Sequence, residues 1–543
     1  MKNSPRTVRA LLLAAAAVLL LSLTVSAAGA SVRGDFDRDG VLTSADANYL
    51  LRHILLGGLY AVDQSPDVNG DGSGDSSDAV YLLRSVLLGE KDYPLVPDPG
   101  SSGITGSFRF PLTFDESPVE SGFTYSDGYF SGSSYDFNID LARFALRASL
   151  AAYSGTDTEN GENIVALLKN TGFSSITVNY QKTSSDSAGY AIGSKKLTCD
   201  GSEYTLITAA IRGGGYDAEW AGNVNVGTSG DHKGFSLAAQ TVSSAIVKYI
   251  SANGISGNIK LFICGYSRGG AIADLLGYSL DRAASARKIA GLLPENIYTY
   301  TFESPAGAVG EQSATYGGKL LSGNIFNIIN PVDLVAYLAP SGWGFGRYGV
   351  TCLLPDSSDP AVLTGEAYKA MQARYEELAK SFGLSALPAE ATVPLDGQSA
   401  LLAEYSEYLA DCFDTREAFA LGYQTRLMEI LAKNNTNIIG AEVETDTSSG
   451  FFPQITLCLL FADRTTGETI TERIEFDTAT GITLGLVLGS ALNQLGVSPD
   501  DTDALAAALV PLKYGHYPEL CLAWLDTVNS LSIPSGSEVG QLN

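Results

Sequence analysis

The residues best suited to chemistry lie in the run Gly265-Tyr266-Ser267-Arg268-Gly269. Glycines two residues to either side of a serine allow a turn too tight for side chains, which leaves the serine hydroxyl exposed. An apolar, strand-like run, 260–264, comes before this turn, and a helical pattern, 271–276, follows it. This strand–turn–helix order favours a nucleophile elbow over an ordinary serine in a turn, so Ser267 is the predicted nucleophile.

A serine nucleophile needs a base, and the chain has three histidines. His53 lies in a repeated N-terminal segment, and His232 comes before the serine. The chain order of α/β-hydrolases is serine, acid, histidine, which leaves His516 as the predicted base. The alternative is that His516 is an ordinary surface histidine.

An acid is needed to orient the histidine, and it should follow a strand. Asp333 comes directly after the strand-like run 324–330 and is the predicted acid. Glu303, after the preceding predicted strand, is the reserve candidate. Asp274 lies on the helix after the elbow, where we interpret it as a solvated surface charge.

A tetrahedral oxyanion needs two hydrogen-bond donors. The backbone N–H of Arg268, directly after the nucleophile, is one predicted donor, and the helix N-terminus there adds positive potential. The second should come from a loop after an earlier strand, and the run Arg212-Gly213-Gly214-Gly215 follows such a strand at 205–211. A plain glycine turn is the alternative.

A second kind of chemistry lies in two copies of one segment, 35–57 and 67–89, with 13 identities in 23 positions and a repeat of 32 residues. Each copy places oxygen ligands at loop positions 1, 3, 5, 9 and 12 and a backbone carbonyl at position 7, the pattern of a calcium loop. The predicted ligands are Asp35, Asp37, Asp39, Val41, Thr43 and Asp46 in the first loop, and Asp67, Asn69, Asp71, Ser73, Asp75 and Asp78 in the second.

Each loop is followed by one helix with an apolar stripe, and this doubled loop-helix, about 33–92, resembles the type I dockerin. The resemblance implies two structural Ca²⁺ ions, folding that depends on them, and a cohesin domain of a scaffoldin as partner. It also implies cohesin-binding positions, which are Ser44, Ala45, Leu51, Arg52, Ser76, Ser77, Leu83 and Arg84. A calcium-stabilised spacer without a partner is the alternative.

Composition and charge narrow the class of protein. The 543 residues allow two or three domains, and a net charge of −26 argues against a nucleic-acid partner. Residues 1–30 carry basic residues, an apolar run and a small-residue site, which predicts a signal peptide and a secreted, extracellular protein. No later segment is long and apolar enough to span a membrane. Six cysteines in so long a chain do not indicate a disulfide framework.

The remaining chain predicts an α/β domain with a mostly parallel central sheet, because short β-rich runs alternate with helical patterns. The predicted boundaries are a signal peptide at 1–30, an all-α dockerin at 31–92, a linker at 93–114 and this domain at 115–543. We interpret about 345–500 as a large insertion, with helices at 364–435, two hairpin-like strands at 455–461 and 469–476, and a glycine-rich helix near 484–495.

The α/β domain resembles the class 3 lipases, over about 138–340 and around His516. The resemblance is carried by the glycine run after Arg212, by His232-Lys233-Gly234-Phe235, by the elbow, by Phe302-Glu303-Ser304-Pro305 and by Pro331-Val332-Asp333. It implies an α/β-hydrolase fold, the triad Ser267, Asp333 and His516, an oxyanion hole from Gly214 and Arg268, and a structural role for His232. Two departures are Gly214, where the family has Ser or Thr, and the long span from Asp333 to His516.

The sequence thus predicts a secreted serine ester hydrolase, a lipase or esterase that acts through an acyl-enzyme and docks to a cohesin in a cellulosome-like complex. No cofactor is expected for catalysis. The alternatives are a feruloyl or acetyl esterase on plant cell-wall polysaccharide, a non-catalytic binding subunit and a peptidase on the same fold.

Overall fold

The computed structural model describes residues 34–37, 42–56, 60, 62, 64–69, 73–89, 93, 95, 103–111, 118–153, 161–180, 184–199, 201–213, 219–310, 312–434, 438–446, 454–463, 466–484, 486, 512, 514–528 and 530–533. The chain divides into an N-terminal unit, Met1–Asp98, and a C-terminal unit, Pro99–Asn543. The predicted signal peptide, 1–30, lies outside the described residues. No described helix is long and apolar enough to cross a membrane.

The N-terminal unit contains two helices, α1 (Ser44–Leu56) and α2 (Ser76–Leu88), each directly after a predicted calcium loop. Its core consists of three pairs of residues, and the members of each pair lie 32 positions apart in the sequence. The pairs are Phe36 and Val68, Ala47 and Ala79, and Leu50 and Leu82. The internal repeat therefore produces a core in which the two copies pack on each other. Six buried side chains are few for an independent fold.

The C-terminal unit is built on a seven-stranded sheet with the order β11-β10-β7-β6-β5-β4-β3. The five strands from β5 to β11 run parallel, whereas β3 and β4 are antiparallel at one edge. The strands are β3 (Ser174–Asn179), β4 (Tyr190–Cys199), β5 (Ser202–Ile211), β6 (Asn258–Tyr266), β7 (Leu292–Phe302), β10 (Ile325–Ile329) and β11 (Val350–Leu353). The middle strands are buried on both faces, which explains their continuous apolar sequences.

Helices cover both faces of this sheet. One core packs the sheet against α6 (Lys233–Ala252) and α7 (Arg268–Ser285). The other packs it against four helices: α3 (Ile139–Ala151), α4 (Glu162–Asn170), α9 (Glu366–Ser381) and α13 (Pro518–Thr527). This arrangement, with the predicted parallel sheet at its centre, is a three-layer α/β fold.

A hairpin precedes the sheet and corrects the predicted linker at 93–114. β1 (Ile104–Pro111) pairs antiparallel with β2 (Pro118–Tyr125), and Phe108 and Phe110 of β1 are buried in the core of the C-terminal unit. Alternating apolar residues give β1 one buried face, so the folded part of this unit includes at least β1, which begins at Ile104. A small hairpin, β8 (Thr315–Tyr316) and β9 (Lys319–Leu320), lies between β7 and β10.

The region interpreted as an insertion at about 345–500 differs from that prediction at its start. β11 lies inside it and forms the edge strand of the main sheet, and α9 packs in the main core, so only later residues stand outside the sheet. They form a small sheet of β12 (Ile438–Asp446), β13 (Gln454–Ala462) and β14 (Thr469–Glu475). The remaining α-helices in the described part of the chain are α5 (Glu219–Gly222), α8 (Pro360–Leu363), α10 (Gln398–Cys412), α11 (Arg416–Phe419) and α12 (Thr425–Asn434). The predicted helix near 484–495 falls largely outside the described residues.

The small sheet packs on the rest of the C-terminal unit through a third apolar core, which we call the cap core. It joins β13 and β14 to α12 and to Ala221 of the short helix α5. Arg416 adds polar contacts, because its guanidinium donates to the carbonyl oxygens of Gly227 at 2.9 Å, Gly230 at 2.7 Å and Val226. The small sheet thus packs on the segment that follows the predicted oxyanion loop.

Candidate active site and calcium-binding loops

The serine of the GxSxG run stands on a strained turn between β6 and α7. Ser267 has a backbone φ of 56°, a value that non-glycine residues rarely adopt. Its N–H donates to the carbonyl oxygen of Phe302 on the neighbouring strand β7 at 2.8 Å. A Cβ at Gly265 would collide with the carbonyl oxygen of Gly269, so this turn requires glycine. The sequence therefore forces the serine side chain out of the strand at the carboxyl edge of the sheet.

Three side chains form a hydrogen-bonded chain at this edge. His516 Nε2 lies 2.9 Å from Ser267 Oγ, and His516 Nδ1 lies 2.8 Å from Asp333 Oδ2. The Asp333 carboxylate is fully buried, and its Oδ1 accepts the N–H of Val335 at 2.8 Å. With its hydrogen on Nδ1, the imidazole has its lone pair on Nε2 directed at the serine hydroxyl, the arrangement in which it can act as a base.

Tyr266 and helix α13 fix the position of the segment that carries His516. The Tyr266 hydroxyl donates to the carbonyl oxygen of His516 at 2.9 Å, and α13 begins two residues later. Asp526, near the end of α13, pairs with Arg147 of α3 at 2.7 Å and with Arg374 of α9 at 2.9 Å. Burial alone would raise the pKa of Asp526, but the charges and hydrogen bonds of the two arginines outweigh it and lower that pKa.

Arg268, the predicted first oxyanion donor, is the first residue of α7, an 18-residue helix. Its side chain is buried and points away from the serine, since it donates to Asn223 Oδ1 at 2.9 Å and to the Ser187 carbonyl at 3.0 Å. Burial lowers the pKa of this guanidinium to about 10. Any donation to an oxyanion therefore falls to the backbone N–H at the helix N-terminus. Gly214, the second predicted donor, lies outside the described residues.

The reserve acid, Glu303, is buried beside Asp333 and makes no direct hydrogen bond to His516 within the described part of the chain. Asp274 was interpreted as a solvated surface charge, and this is wrong. Its side chain is 2 % exposed and accepts the Tyr348 N–H at 3.1 Å, and burial raises its pKa to about 8. The error arose because α7 is covered by the sheet on one side and by α6 on another, so a helix that follows the elbow offers little surface.

The other two histidines have different surroundings. The His232 ring stacks on Phe235 with centroids 3.8 Å apart, and its Nε2 lies 3.2 Å from the Asn223 carbonyl. Burial lowers the pKa of His232 to about 3, and the charge of Arg268 adds to this effect. His53, on α1, places Nδ1 2.7 Å from the carbonyl oxygen of Tyr60. His232 is thus a neutral packing residue in this structure.

The first calcium loop brings three carboxylates together. Ligand atoms of Asp35, Asp37 and Asp46 all lie within 4.8 Å of one another, and two of the three side chains are buried. Asp46 is further fixed by the N–H groups of Thr43 at 2.7 Å and Asp37 at 3.2 Å. Like charges packed this closely favour a bound cation, and an all-oxygen set suits Ca²⁺. These residues therefore fit the ion; Asp39 and Val41 lie outside the described residues.

The second loop repeats part of this geometry. Asp78 corresponds to Asp46, is fully buried, and accepts the N–H groups of Val68 at 2.9 Å, Asn69 at 3.1 Å and Asp75 at 2.9 Å. Asp75 in turn caps α2 by accepting the Ser77 N–H at 2.8 Å. Asp67 and Asn69 are partly buried at the start of this loop and Ser73 is exposed, while Asp71 lies outside the described residues.

The predicted cohesin-binding positions lie on α1 and α2, and most are exposed. The exposed ones are Ser44, Ala45, Arg52, Ser76, Ser77, Leu83 and Arg84, whereas Leu51 is half-buried. The arginine of each copy lies over a tyrosine ring, Arg52 over Tyr60 at 5.4 Å and Arg84 over Tyr93 at 5.9 Å. The two copies thus present similar surfaces.

Several residues that shape the site could not be identified from the sequence. Asn330 and Tyr266 contact the segment around His516, and Arg416 holds the region of the cap core. Only Tyr266 lies within a motif that the sequence singled out, and nothing there marks its hydroxyl for a carbonyl so far along the chain. All six cysteines are buried, and no disulfide links them.

A parallel sheet that delivers a serine on a tight strand–helix turn, with an acid and a histidine behind it, defines the α/β-hydrolase class of fold. Residues 33–87 match the family model described as the dockerin type I domain, and residues 206–342 match the one described as lipase (class 3). The chain therefore contains a segment similar to the type I dockerin domain and a segment similar to class 3 lipases. Both resemblances and the fold class predicted from the sequence are confirmed.

Solved structures with some similarity include three fungal lipases. The Rhizomucor miehei lipase propeptide complex is 15% identical, with a TM-score of 0.26, and covers 40% of this chain and 68% of its own. Lipase II from Rhizopus niveus is 16% identical, with a TM-score of 0.28 and coverages of 40% and 80%. The lipase from Rhizopus microsporus var. chinensis is 16% identical, with a TM-score of 0.26 and coverages of 46% and 83%. TM-scores this low support no conclusion about this chain. No curated protein matches the sequence.

Proposed function

We propose that the C-terminal unit is a serine carboxylic-ester hydrolase that works through an acyl-enzyme. The observation that carries this proposal is the continuous hydrogen-bonded chain from Ser267 Oγ through His516 to Asp333, at 2.9 Å and 2.8 Å. Serine requires such a base to become a nucleophile at neutral pH. A lipase-type domain around the same serine makes an ester the substrate class.

In the first half-reaction, Ser267 Oγ forms a bond to the ester carbonyl carbon while its proton passes to His516 Nε2. Asp333 stabilises the resulting imidazolium through Nδ1–H. The negative charge on the carbonyl oxygen is held by the N–H of Arg268 at the positive end of α7, with Gly214 as the proposed second donor. Collapse of the tetrahedral intermediate breaks the C–O bond, and the leaving alcohol takes the proton from His516.

In the second half-reaction, water replaces the alcohol. His516 removes one proton from the water as its oxygen bonds to the acyl carbon, and the second tetrahedral intermediate expels Ser267, which regains that proton. The products are a carboxylic acid and an alcohol, and the enzyme returns to its starting state. Every proton transfer uses the same imidazole nitrogen, which explains why one histidine suffices.

We propose that the N-terminal unit attaches this hydrolase to a cohesin on an extracellular scaffold. The exposed positions on α1 and α2 support this role, because they form two similar surfaces directly after the calcium loops. Type I dockerins bind calcium, and we propose two ions here, one for each loop. The signal-like residues 1–30 support export of the chain.

The natural ester has two candidates. The lipase-type domain favours acylglycerols, whereas a dockerin favours acetyl or feruloyl esters of plant cell-wall polysaccharide. Turnover of p-nitrophenyl esters of increasing chain length, beside methyl ferulate and acetylated xylan, separates them. We expect at least one of these esters to be hydrolysed by the full chain and by the Ser251→Ala control, whose serine is exposed on α6. Ser267→Ala should hydrolyse none of them. A wild-type chain that hydrolyses none of these esters would contradict the proposal and favour a non-catalytic binding subunit.

A further inference from the structure

Two neighbouring strands of the parallel sheet are each followed by a non-glycine residue with a positive φ. Ser267 after β6 has a φ of 56°, and Glu303 after β7 has a φ of 47°. Such conformations cost energy in non-glycine residues and persist where the surrounding structure holds them, often at functional sites. The nucleophile elbow accounts for Ser267. The hydrogen-bonded chain of Ser267, His516 and Asp333 leaves Glu303 unexplained.

The contacts of Glu303 tie it to the turn that carries Asp333. Its side chain is fully buried, and its own N–H donates to the carbonyl oxygen of Ile328 on β10 at 2.9 Å. Its carboxyl oxygen Oε2 accepts the backbone N–H of Asn330 at 2.8 Å. The left-handed conformation thus turns Glu303 toward the next strand, where it fixes the first residue after β10.

Asn330 connects this turn to the histidine. Its carbonyl oxygen accepts the N–H of Asp333 at 3.0 Å, and its side-chain amide donates to the carbonyl oxygen of Gly515 at 3.0 Å. The two turns touch so closely that a Cβ at Gly515 would collide with the carbonyl oxygen of Val332. A continuous path of hydrogen bonds therefore leads from Glu303 through Asn330 to the residues that hold both Asp333 and His516.

We propose that Glu303 is a positioning residue for the pair of Asp333 and His516, and that it acts through Asn330. This inference rests on the proposed ester-hydrolase function. Glu303 makes no direct hydrogen bond to the described side chains of Ser267 or His516, so it sets the geometry of the reacting groups without touching them. A displacement of this geometry by about 1 Å is enough to lower the rate by about 100-fold.

The surroundings of Glu303 change its acidity. Burial, and after it the negative charge of Asp333, raise the pKa of Glu303 well above its ordinary value. Its second carboxyl oxygen, Oε1, is buried and has no hydrogen-bond partner among the described residues. The ionisable groups that face it from the surrounding elements are Asp333, Cys521, Tyr266, Tyr337 and Arg347.

Two substitutions of Glu303 in the full chain test this inference. In Glu303→Gln the amide oxygen can still accept the Asn330 N–H, so kcat and KM should stay within about threefold of wild type. In Glu303→Leu this hydrogen bond is lost, and kcat should fall by about 10- to 100-fold while KM changes little. Asp281→Asn, which alters another fully buried acid on α7, is the control and should leave kcat unchanged.

The fall in kcat at constant KM, with rescue by Glu303→Gln, is the readout that a merely structural role would not give, and the pH profile additionally reports the charge of Glu303. The acid limb of kcat/KM reports protonation of the base in the free enzyme. If Glu303 is neutral, Glu303→Gln removes no charge and the limb stays in place. If Glu303 is ionised, the same substitution removes a negative charge near His516, and the limb moves to lower pH.

The outcomes separate this inference from the function on which it rests. A wild-type chain that hydrolyses no ester overturns the proposed function. An active wild type together with a Glu303→Leu variant of normal kcat overturns only the role of Glu303. Melting temperatures of all variants identify any loss of folding. Should Glu303→Leu fail to fold, Asn330→Ala decides, because it removes the amide contact to the carbonyl oxygen of Gly515. A kcat lowered by about 10-fold with KM little changed supports the inference, and an unchanged kcat contradicts it.

Discussion

The two units of this protein assemble their functional residues in opposite ways. In the N-terminal unit, Asp35, Asp37 and Asp46 come from one short loop, and their ligand atoms lie within 4.8 Å of one another. In the C-terminal unit, Ser267 and His516 lie 249 residues apart, and Asp333 and His516 lie 183 apart. The first arrangement is local and needs an ion to balance its charge. The second is non-local and needs a large packed core.

The two units also differ in how the negative charge of their carboxylates is balanced. A loop of clustered carboxylates repels itself until a cation binds, so we propose that folding of the N-terminal unit is coupled to calcium. In the C-terminal unit, Asp333 is buried with an imidazole partner and a backbone N–H, and burial raises the pKa of its neighbour Glu303. The geometry of this site is maintained by the sheet and by α13.

The largest expected effect comes from removing the distant histidine. His516→Ala should lower kcat/KM for any ester substrate by about 10⁴-fold or more, because Ser267 loses its base. The folding of both units should be unchanged. The matched control is His53→Ala on α1, which should keep ester turnover within about twofold of wild type. Equal turnover in the two variants would mean that the non-local triad does not operate.

Calcium removal should produce the next largest effect, and only in the N-terminal unit. At a calcium concentration 1,000 times its Kd, the ion adds about 4 kcal/mol to the free energy of unfolding of the state that binds it. Calorimetry of the full chain with and without a chelator should show one transition lost or shifted down, while ester turnover persists. A chelator that abolishes turnover would contradict the separation of the two units.

A third test weakens the anchor of α13. Asp526→Asn should lower the free energy of unfolding of the C-terminal unit by about 3 kcal/mol, because the buried Arg147 and the half-buried Arg374 lose their partner. The control is Glu377→Gln, which removes the exposed partner of Arg374 and should cost under about 0.5 kcal/mol. Urea unfolding measures both, and an equal effect of the two variants would contradict the role given to Asp526.

The same variant has a predicted pH dependence. The pKa of Asp526 is lower in the folded state than in the unfolded state, where carboxyl groups titrate near about 3.9. Its contribution to stability is therefore complete above that pH and is lost as pH falls through the folded-state pKa. The difference between wild type and Asp526→Asn should shrink over this acidic range and stay constant above about pH 5.5.

The smallest expected effect concerns the cap core. Arg416→Met should lower the free energy of unfolding by about 2 kcal/mol, because the carbonyl oxygens of Gly227 and Gly230 lose a charged donor while the packing on Phe345 is partly kept. Arg426→Met, at an exposed arginine of α12, is the control with an effect near zero. Thermal unfolding measures both, and identical melting temperatures would show that Arg416 does not hold this region.

What the sequence could predict follows the same division between local and non-local construction. The calcium loops could be predicted because the types of their ligands and the spacing between them lie within one short segment. The strand before Ser267 and the helix after it were readable because their apolar patterns are strong. His516 entered the hypothesis by elimination among three histidines. Its hydrogen bond to Asp333 could not be derived, since it depends on where a helix far along the chain packs.

The wrong predictions also concern contacts between distant parts of the chain. The prolines, glycines and serines around β1 predict a linker, although Phe108 and Phe110 alternate as in a half-buried strand. The sequence predicts an exposed Asp274 because a helical pattern does not show how many neighbours cover a residue. The hydrogen bonds that Glu303 makes through Asn330 depend on two neighbouring strand ends, which no single segment reveals.

The most direct test of the account is labelling of the full chain with a fluorophosphonate probe, followed by peptide mass mapping. The account predicts one adduct, on Ser267, which is absent in Ser267→Ala and strongly slowed in His516→Ala. An unlabelled wild-type chain, or an adduct on a different serine with Ser267 unmodified, would contradict the proposal that these distant residues form a working nucleophile.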